Sequence, residues 1–233
     1  MKFVWIAAAA LALSACNQTP DPPSAAGPIQ AVTIEAPSGE YALDKNHASV
    51  TIRARHFGLS HYTLRFTELE ATLNFNAEAP TQSTLAASIA ANSVETDFPG
   101  DRDFDAELQN SQWFDAANHP QITFRSTSIE LTGPNTGRMI GDLSIRGQTH
   151  QATFDVTFNQ GYARHPVGAP LSLLGFSARG MVKRSDYGML VLMPPPGTEA
   201  GVSDEVEILI EAEFARPIAP APGAPAPRPV PPT

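Results

Sequence analysis

Cysteine is almost missing from this 233-residue chain, with a single one, Cys16, near its start. No internal disulfide is available, so an exported domain of this size would have to be stable through core burial alone. Cations are scarce too: 15 Lys and Arg stand against 24 Asp and Glu, for a formal net charge of -9. Phosphate backbones are bound by clustered Lys and Arg that release counterions, so this balance argues against nucleic acid as a partner. Beyond the first 20 residues no run is long and apolar enough to cross a bilayer, which leaves the N-terminus as the one place for membrane attachment. Also absent are His-Glu-x-x-His, Gly-x-Ser-x-Gly and any paired-cysteine site. An enzyme would have to draw on His47, His56, His61 and His119 with Asp101, Asp103 and Asp105. His56 and His61 are five positions apart, on opposite faces of a continuing strand. The spacing therefore supplies neither a catalytic set nor a metal set.

What is present at the start reads as an address. Met1 and Lys2 give a short positive start, Phe3 to Leu13 are apolar, and Leu13-Ser14-Ala15-Cys16 follows. That tetrapeptide resembles the lipobox of bacterial lipoproteins, which implies cleavage after Ala15 and lipid on the Cys16 sulfur. Acyl chains contribute about 0.8 kcal/mol per buried methylene, enough with two or three chains to hold a protein on a membrane surface. Asn17 in the next position resembles outer-membrane sorting signals rather than inner-membrane retention.

The ends are rich in proline. Pro20, Pro22, Pro23, Pro28 and Pro37 lie among Ser, Ala and Gly, and Pro217 to Thr233 holds eight prolines interleaved mainly with Ala. Neither end can bury much surface. The organisation expected is a signal peptide over 1–15, a lipidated flexible tether over 16–40, a folded domain over 41–214 and a disordered Pro/Ala tail over 215–233.

Within the folded part the dominant period is two. Val50, Ile52, Ala54 and His56 alternate with Thr51, Arg53, Arg55 and Phe57, and Val206, Ile208, Ile210, Ala212 and Phe214 oppose Glu207, Glu211 and Glu213. Similar segments make about eight half-buried strands. Apolar parity slips between Phe66 and Leu69 and between Phe124 and Ile129, as a bulge or bend produces. The stretch from Pro99 to Asn110 sets Phe104 and Leu108 four apart behind acidic residues, which predicts one short helix. An all-β, eight-stranded antiparallel barrel with one short helix follows, since closure removes exposed edges.

The inward parity includes Ala54, Ala71, Ala87, Ala91, Gly141, Ala152, Ala178 and Gly180. Eight strands enclose a space that is either packed solid or able to hold one small ligand. Small inward residues favour a cavity, whereas large neighbours interdigitating over them would give a solid core. A cavity would be lined by Ile52, Ala54, Ala87, Ile89, Phe124, Leu143, Phe154, Val156, Phe176, Ala178 and Ile208. His56 and Arg184 end two apolar stripes, where a barrel mouth would meet a polar head group. Alternatively Arg184 pairs with Asp186, Asp101 or Asp103, and His56 is a satisfied structural histidine.

Successive motifs then carry a likeness. Asp44-Lys45-Asn46-His47-Ala48-Ser49-Val50, Arg55-His56-Phe57-Gly58, Arg102-Asp103, Trp113-Phe114-Asp115 and His119-Pro120-Gln121-Ile122-Thr123-Phe124 come first. Gly141 to Gly147, Gly175-Phe176-Ser177-Ala178, Arg184 to Met189 and Asp204-Glu205-Val206 continue the order. Together these resemble the YceI family over roughly Tyr41 to Phe214. The resemblance implies a lipocalin-like barrel facing the periplasm, binding rather than catalysis, and a polyisoprenoid or other long-chain amphiphile as ligand. No cofactor is implied beyond such a lipid or a quinone-like molecule. The motif positions His47, His56, Arg102 and Arg184, with Asp103 and Asp186, become structural or head-group sites. The partners expected are the lipid and, through Cys16, a membrane, and a homodimer is left open. A structural or adaptor lipoprotein with a solid or empty barrel is the rival, with an envelope hydrolase behind it. Tyr162 to Ser172 and Met193 to Gly197 depart from the family pattern and lie where they would reshape the ends of a tunnel.

Overall fold

A computed structural model describes residues 31–219, so Cys16, the signal segment and most of the proline tail lie outside the described residues. Ten strands form one antiparallel sheet: β1 (Gly39–His56), β2 (Ser60–Phe66), β3 (Leu69–Phe75), β4 (Thr84–Ala90), β5 (Val94–Glu95), β6 (Gln121–Leu131), β7 (Thr136–Ile145), β8 (Gln148–Tyr162), β9 (Leu171–Lys183) and β10 (Val202–Pro217). The sheet closes because β10 pairs with β1, making an eight-position barrel. Two positions are each filled by a pair of short strands. β2 and β3 run along the two halves of β1, Val50 opposite Phe66 and Tyr41 opposite Leu73, and are one strand bent at Thr67-Glu68. β4 and β5 are likewise broken by a 3-10 turn at Ala91–Ser93. The parity slip after Phe66 marks the first of these bends. The slip after Phe124 marks a register shift between Ser126 and Ser128 in the β6–β7 pairing.

The short helix α1 spans Phe104–Leu108, and Asp103 caps it by accepting a hydrogen bond from the Ala106 N–H at 2.9 Å. Leu108 is buried, and Phe104 packs beside it against the barrel core. The closing pair is also tied on its outer face, where the buried Glu207 carboxylate on β10 meets Arg53 of β1 at 3.0 Å and Arg179 of β9. An otherwise expensive buried carboxylate is thereby paired twice, across three neighbouring strands.

Both boundaries of the folded part lie further out than the sequence suggests. The described end of the segment read as a flexible tether, 31–38, is docked on the barrel. Val32 N–H donates to Pro134 O at 2.8 Å, Ile34 packs with the core and Ala36 is 1% exposed. Docking places the Tyr41 hydroxyl 2.7 Å from Pro37 O and 2.8 Å from Ser172 Oγ, which lies 2.8 Å from Tyr162 O. Tyr41 and Ser172 each bring one hydroxyl proton, so two of the three contacts are hydrogen bonds at any moment, and both residues are fully buried around them. At the other terminus β10 continues through Ala215–Pro217, and Ile218 N–H donates to Pro170 O.

Candidate functional site

The barrel is hollow. A cavity of about 330 Å³, inside the range of small-molecule sites, runs along its interior with walls that are almost wholly apolar. On β1 its lining extends from Leu43 to Ala54. That stretch pairs with Phe214 to Val206 of β10, eight regular steps, which at about 3.3 Å per residue and with the tilt of barrel strands is a length of roughly 20 Å. All eleven residues expected to line a cavity do so: Ile52, Ala54, Ala87, Ile89, Phe124, Leu143, Phe154, Val156, Phe176, Ala178 and Ile208.

The small residues divide into three groups. Ala54, Ala71, Ala87 and Ala178 open onto the cavity. Gly141 and Gly180 instead lie beneath the rings of Phe124 and Phe154, which meet edge to face with centroids 5.3 Å apart. Ala91 and Ala152 are buried in the packed core. Interdigitation and hollowness therefore coexist in one barrel.

The end near α1 is covered by two loops. One carries Leu108, Trp113 and Phe114 into the lining, and the other carries Met189. Arg146 ties the loops together, donating from Nη2 to Ser111 O at 2.8 Å and from Nη1 to Gly188 O at 2.6 Å. At the opposite end the lining includes Val32, Ile34, Pro80 and Pro134, so the docked N-terminal segment is part of the wall.

The expected head-group residues do not converge there. Arg184 alone lines the cavity, and it is 4% exposed. Its guanidinium is already engaged: Nε donates to Ser203 O, Nη1 to Met189 O and Val191 O, and Nη2 to Val202 O, all within 2.9 Å. It pairs with neither Asp186 nor the acidic residues before α1. Its pKa is lowered by burial, an effect opposed by the charge of Asp204. Arg184 is thus a staple for the covering loop, because backbone carbonyls saturate four of its five N–H groups.

His56 caps the β1 stripe as its parity predicts, but it stacks edge to face on Phe57 at 4.7 Å and is not part of the lining. Arg102 is exposed before α1, paired with Glu107, which raises its pKa, and set over Phe104 at 4.9 Å. His47 lies on the outer surface. The register shift between Leu43 and Ala48 carries inward parity from odd to even positions, which leaves His47 outside. There its Nδ1 is 2.9 Å from Asp44 Oδ2 and 4.0 Å from Glu213. The hydrogen bond with Asp44 raises the histidine pKa and lowers the aspartate's. These three groups lie within 4.8 Å of one another, an exposed ion-pair cluster remote from the lining.

Sequence reasoning did not place Leu108, Trp113, Phe114 or Met189 at the cavity: Leu108 was read only as a helix residue and ends α1, and the other three sit in loops without periodicity. It also missed Ile34, although Val32, Ile34 and Ala36 alternate with Thr33 and Glu35 as strand residues do.

Comparisons with known proteins agree with this geometry. A family model described as YceI-like domain matches residues 41–214. Protein YceI of Salmonella arizonae is 30% identical over 183 residues, covering 78% of this chain and 89% of that protein. Among solved structures, Burkholderia cenocepacia BcnA superposes with a TM-score of 0.61 at 24% identity, over 73% of this chain and 98% of its own. A polyisoprenoid binding domain from Saccharophagus degradans gives 0.55 at 13% identity, over 76% and 98%. The low identity of these two structures speaks for the fold alone, whereas the family model spans most of the barrel, and the chain belongs to the family of YceI-like domains.

Proposed function

We propose that the barrel binds and carries a long-chain amphiphilic lipid of the polyisoprenoid class. The observation that carries this reading is the roughly 20 Å apolar cavity, whose lining comes from both ends of the barrel and from the strands between. Removing an apolar chain from water contributes about 25 cal/mol per Å² buried, and a dry, preformed tunnel collects that gain without rearrangement. The Saccharophagus degradans domain, which shares the fold and is a polyisoprenoid binding domain, supports the same class of guest. The reading is one of binding, not catalysis: among the described residues no nucleophile and base converge on the cavity, and Arg184 is committed to carbonyls. The Leu13-Ser14-Ala15-Cys16 sequence supports an envelope lipoprotein facing the periplasm, with the outer membrane as its site.

Organic extraction of the full purified chain followed by mass spectrometry tests the proposal. One dominant long-chain species near one per protein is the expected result. Lipid-free protein that takes up no added isoprenoid would replace it with the adaptor role. Intact mass after membrane extraction reports the acyl chains expected on Cys16, and unmodified Cys16 would remove the lipoprotein reading alone.

A further inference from the structure

Leu190 and Leu192 are 62% and 56% exposed, although they belong to the loop whose Met189 lines the cavity. Along Met189-Leu190-Val191-Leu192 the residues alternate: Met189 is buried and Val191 half-buried, while the two leucines meet water. A cover over an apolar cavity needs one apolar face, and this one has two. The turn between β1 and β2 lies against it. Phe57 N–H donates to Gly201 O at 2.7 Å, and the next residue, Val202, donates its N–H to Leu192 O at 2.7 Å. In that turn Phe57 is 43% exposed and Leu59 86%.

The backbone at these positions is unusual as well. Phe57 and Leu192 hold left-handed φ angles of 51° and 54°. Bulky side chains are rare there, and the residue before Gly58 in a turn of this kind is ordinarily Asn, Asp or Gly. Neither turn chemistry nor core packing accounts for large apolar groups held in strained backbone at the surface.

Charge and chain length narrow the partner to a lipid surface without net charge. Arg55 beside the turn is paired with Glu199, and Arg102 before α1 with Glu107, so neither is free to hold an anionic head group. The chain as a whole carries a formal charge of -9, which a negative surface would repel. Fifteen peptide steps separate Cys16 from Ala31, a reach of up to roughly 50 Å. That is more than twice the length of the cavity, so the lipid anchor proposed on Cys16 lets this end turn to the same membrane, although the chain joins the barrel at the other end.

We infer that the turn at 57–59 and the outer face of the loop at 190–192 dock on an uncharged lipid surface, and that the guest passes between bilayer and cavity at this end. The passage rests on the carrier reading, whereas the docking rests on the turn and loop themselves. A hydrocarbon crossing water would forfeit the gain that holds it. Beneath a cover that is apolar on both faces and seated at the acyl boundary, it stays out of water throughout.

Two single tryptophans test the docking in the full chain. Leu59→Trp marks the turn, and Val167→Trp marks the loop between β8 and β9 at the opposite end, where Val167 is 85% exposed. Both share one N-terminus, so any attachment through Cys16 is common to them. With vesicles of phosphatidylcholine brominated along its acyl chains, Leu59→Trp should lose roughly half of its added emission and Val167→Trp hardly any. Admixed phosphatidylglycerol should not deepen that quenching. The combined variant Phe57→Asn, Leu59→Ser, Leu190→Ser and Leu192→Asn should melt no lower than the parent, because Asn accepts left-handed backbone. It should take up geranylgeraniol from vesicles about tenfold more slowly, yet reach the same final occupancy. Quenching at neither position or equally at both, or quenching that requires the anionic lipid, overturns the docking. So does a Leu59→Trp emission that is shielded without vesicles in a protein that sediments as a dimer. Uptake at the parent's rate by the combined variant overturns the passage. A parent that takes up no geranylgeraniol overturns the carrier reading and leaves the quenching to decide the docking.

Discussion

The ring of Phe154 fills the space that a side chain at Gly180 would need: a Cβ there would stand 2.6 Å from Phe154 Cδ1 and 3.0 Å from Thr153 O. Two strands away, on β7, Gly141 serves Phe124 in the same way, with Arg125 O as an additional, immovable neighbour. The two glycines make room at the wall for a pair of aromatic rings that meet edge to face.

Gly141→Ala is accordingly expected to destabilise by about 1–3 kcal/mol, the usual cost of overpacking. For a domain of this size that lowers Tm by roughly 2–4 °C per kcal/mol in a thermal melt. Gly180→Ala should cost less, because a phenyl ring yields more readily than a backbone carbonyl. An unchanged melt for Gly141→Ala would show that β7 stands further from β6 than described.

Ala178→Phe places a ring in the lumen rather than under one. Ala178 faces the cavity between Val156 on β8 and Ile210 on β10. The expected result is a Tm equal to or above that of the parent protein, since new apolar contacts form without a clash, together with loss of extractable lipid. Retained lipid at full stoichiometry would contradict the described course of the cavity.

Arg184→Met leaves the carbonyls of Met189, Val191, Val202 and Ser203 without their donor. Losing this set should cost about 3 kcal/mol, a large effect for one substitution. A fall in Tm of roughly 6–12 °C is expected by calorimetry. A change within 1–2 °C, about the scatter of neutral surface substitutions, would mean that water can take over the staple.

Tyr187 is 2% exposed beside the His150 ring, and burial, with the charge of Asp186 adding to it, pushes its hydroxyl up to about 12. The folded protein then holds a proton that the unfolded chain releases near pH 10, so stability is intact below pH 10 and declines as pH rises toward about 12. Tyr187→Phe should flatten that decline in denaturant melts taken from pH 9 to 12. A parallel decline in both proteins would assign the alkaline loss elsewhere.

His47 is held above its ordinary value of 6.5 by the hydrogen bond that its Nδ1–H donates to the Asp44 carboxylate. The Asp44 carboxylate is held below 3.8 by the same contact. The pair is therefore intact from the acid side of neutrality downward to the aspartate range, is released as pH rises through the histidine pKa, and is lost again in strong acid. Asp44→Asn should move the His47 titration midpoint, followed by NMR, back down toward 6.5. Because His47 is exposed, Tm should hardly change. An unmoved midpoint would make Glu213 the controlling partner.

How far the sequence revealed this molecule depends on which atoms carry each feature. Alternation along Val50, Ile52 and Ala54, or Val206, Ile208 and Ile210, is written in side chains, and the lining followed from it residue by residue. The bend after Phe66 and the bulge at Ser126–Ser128 showed as slips in the same pattern. Arg184 was misread because its partners are backbone carbonyls, which leave no trace in residue identity. Trp113 was read as part of a family motif and not as lining, because the loop carrying it has no period to read. His47 was assigned by likeness alone, against its own outward parity. The docking of Ile34 and Ala36 was overshadowed by the prolines around them.

The pairing of β1 with β10 leaves only β5, among the described strands, with a single partner. Everywhere else a guest cannot slip sideways between strands unless a whole row of ladder hydrogen bonds lets go at once, so traffic is lengthwise, toward the ends. Exchange kinetics then belong to whichever end flap lifts more easily, and the guest's residence time becomes a property of a few loop contacts, adjustable without disturbing the hydrocarbon's fit.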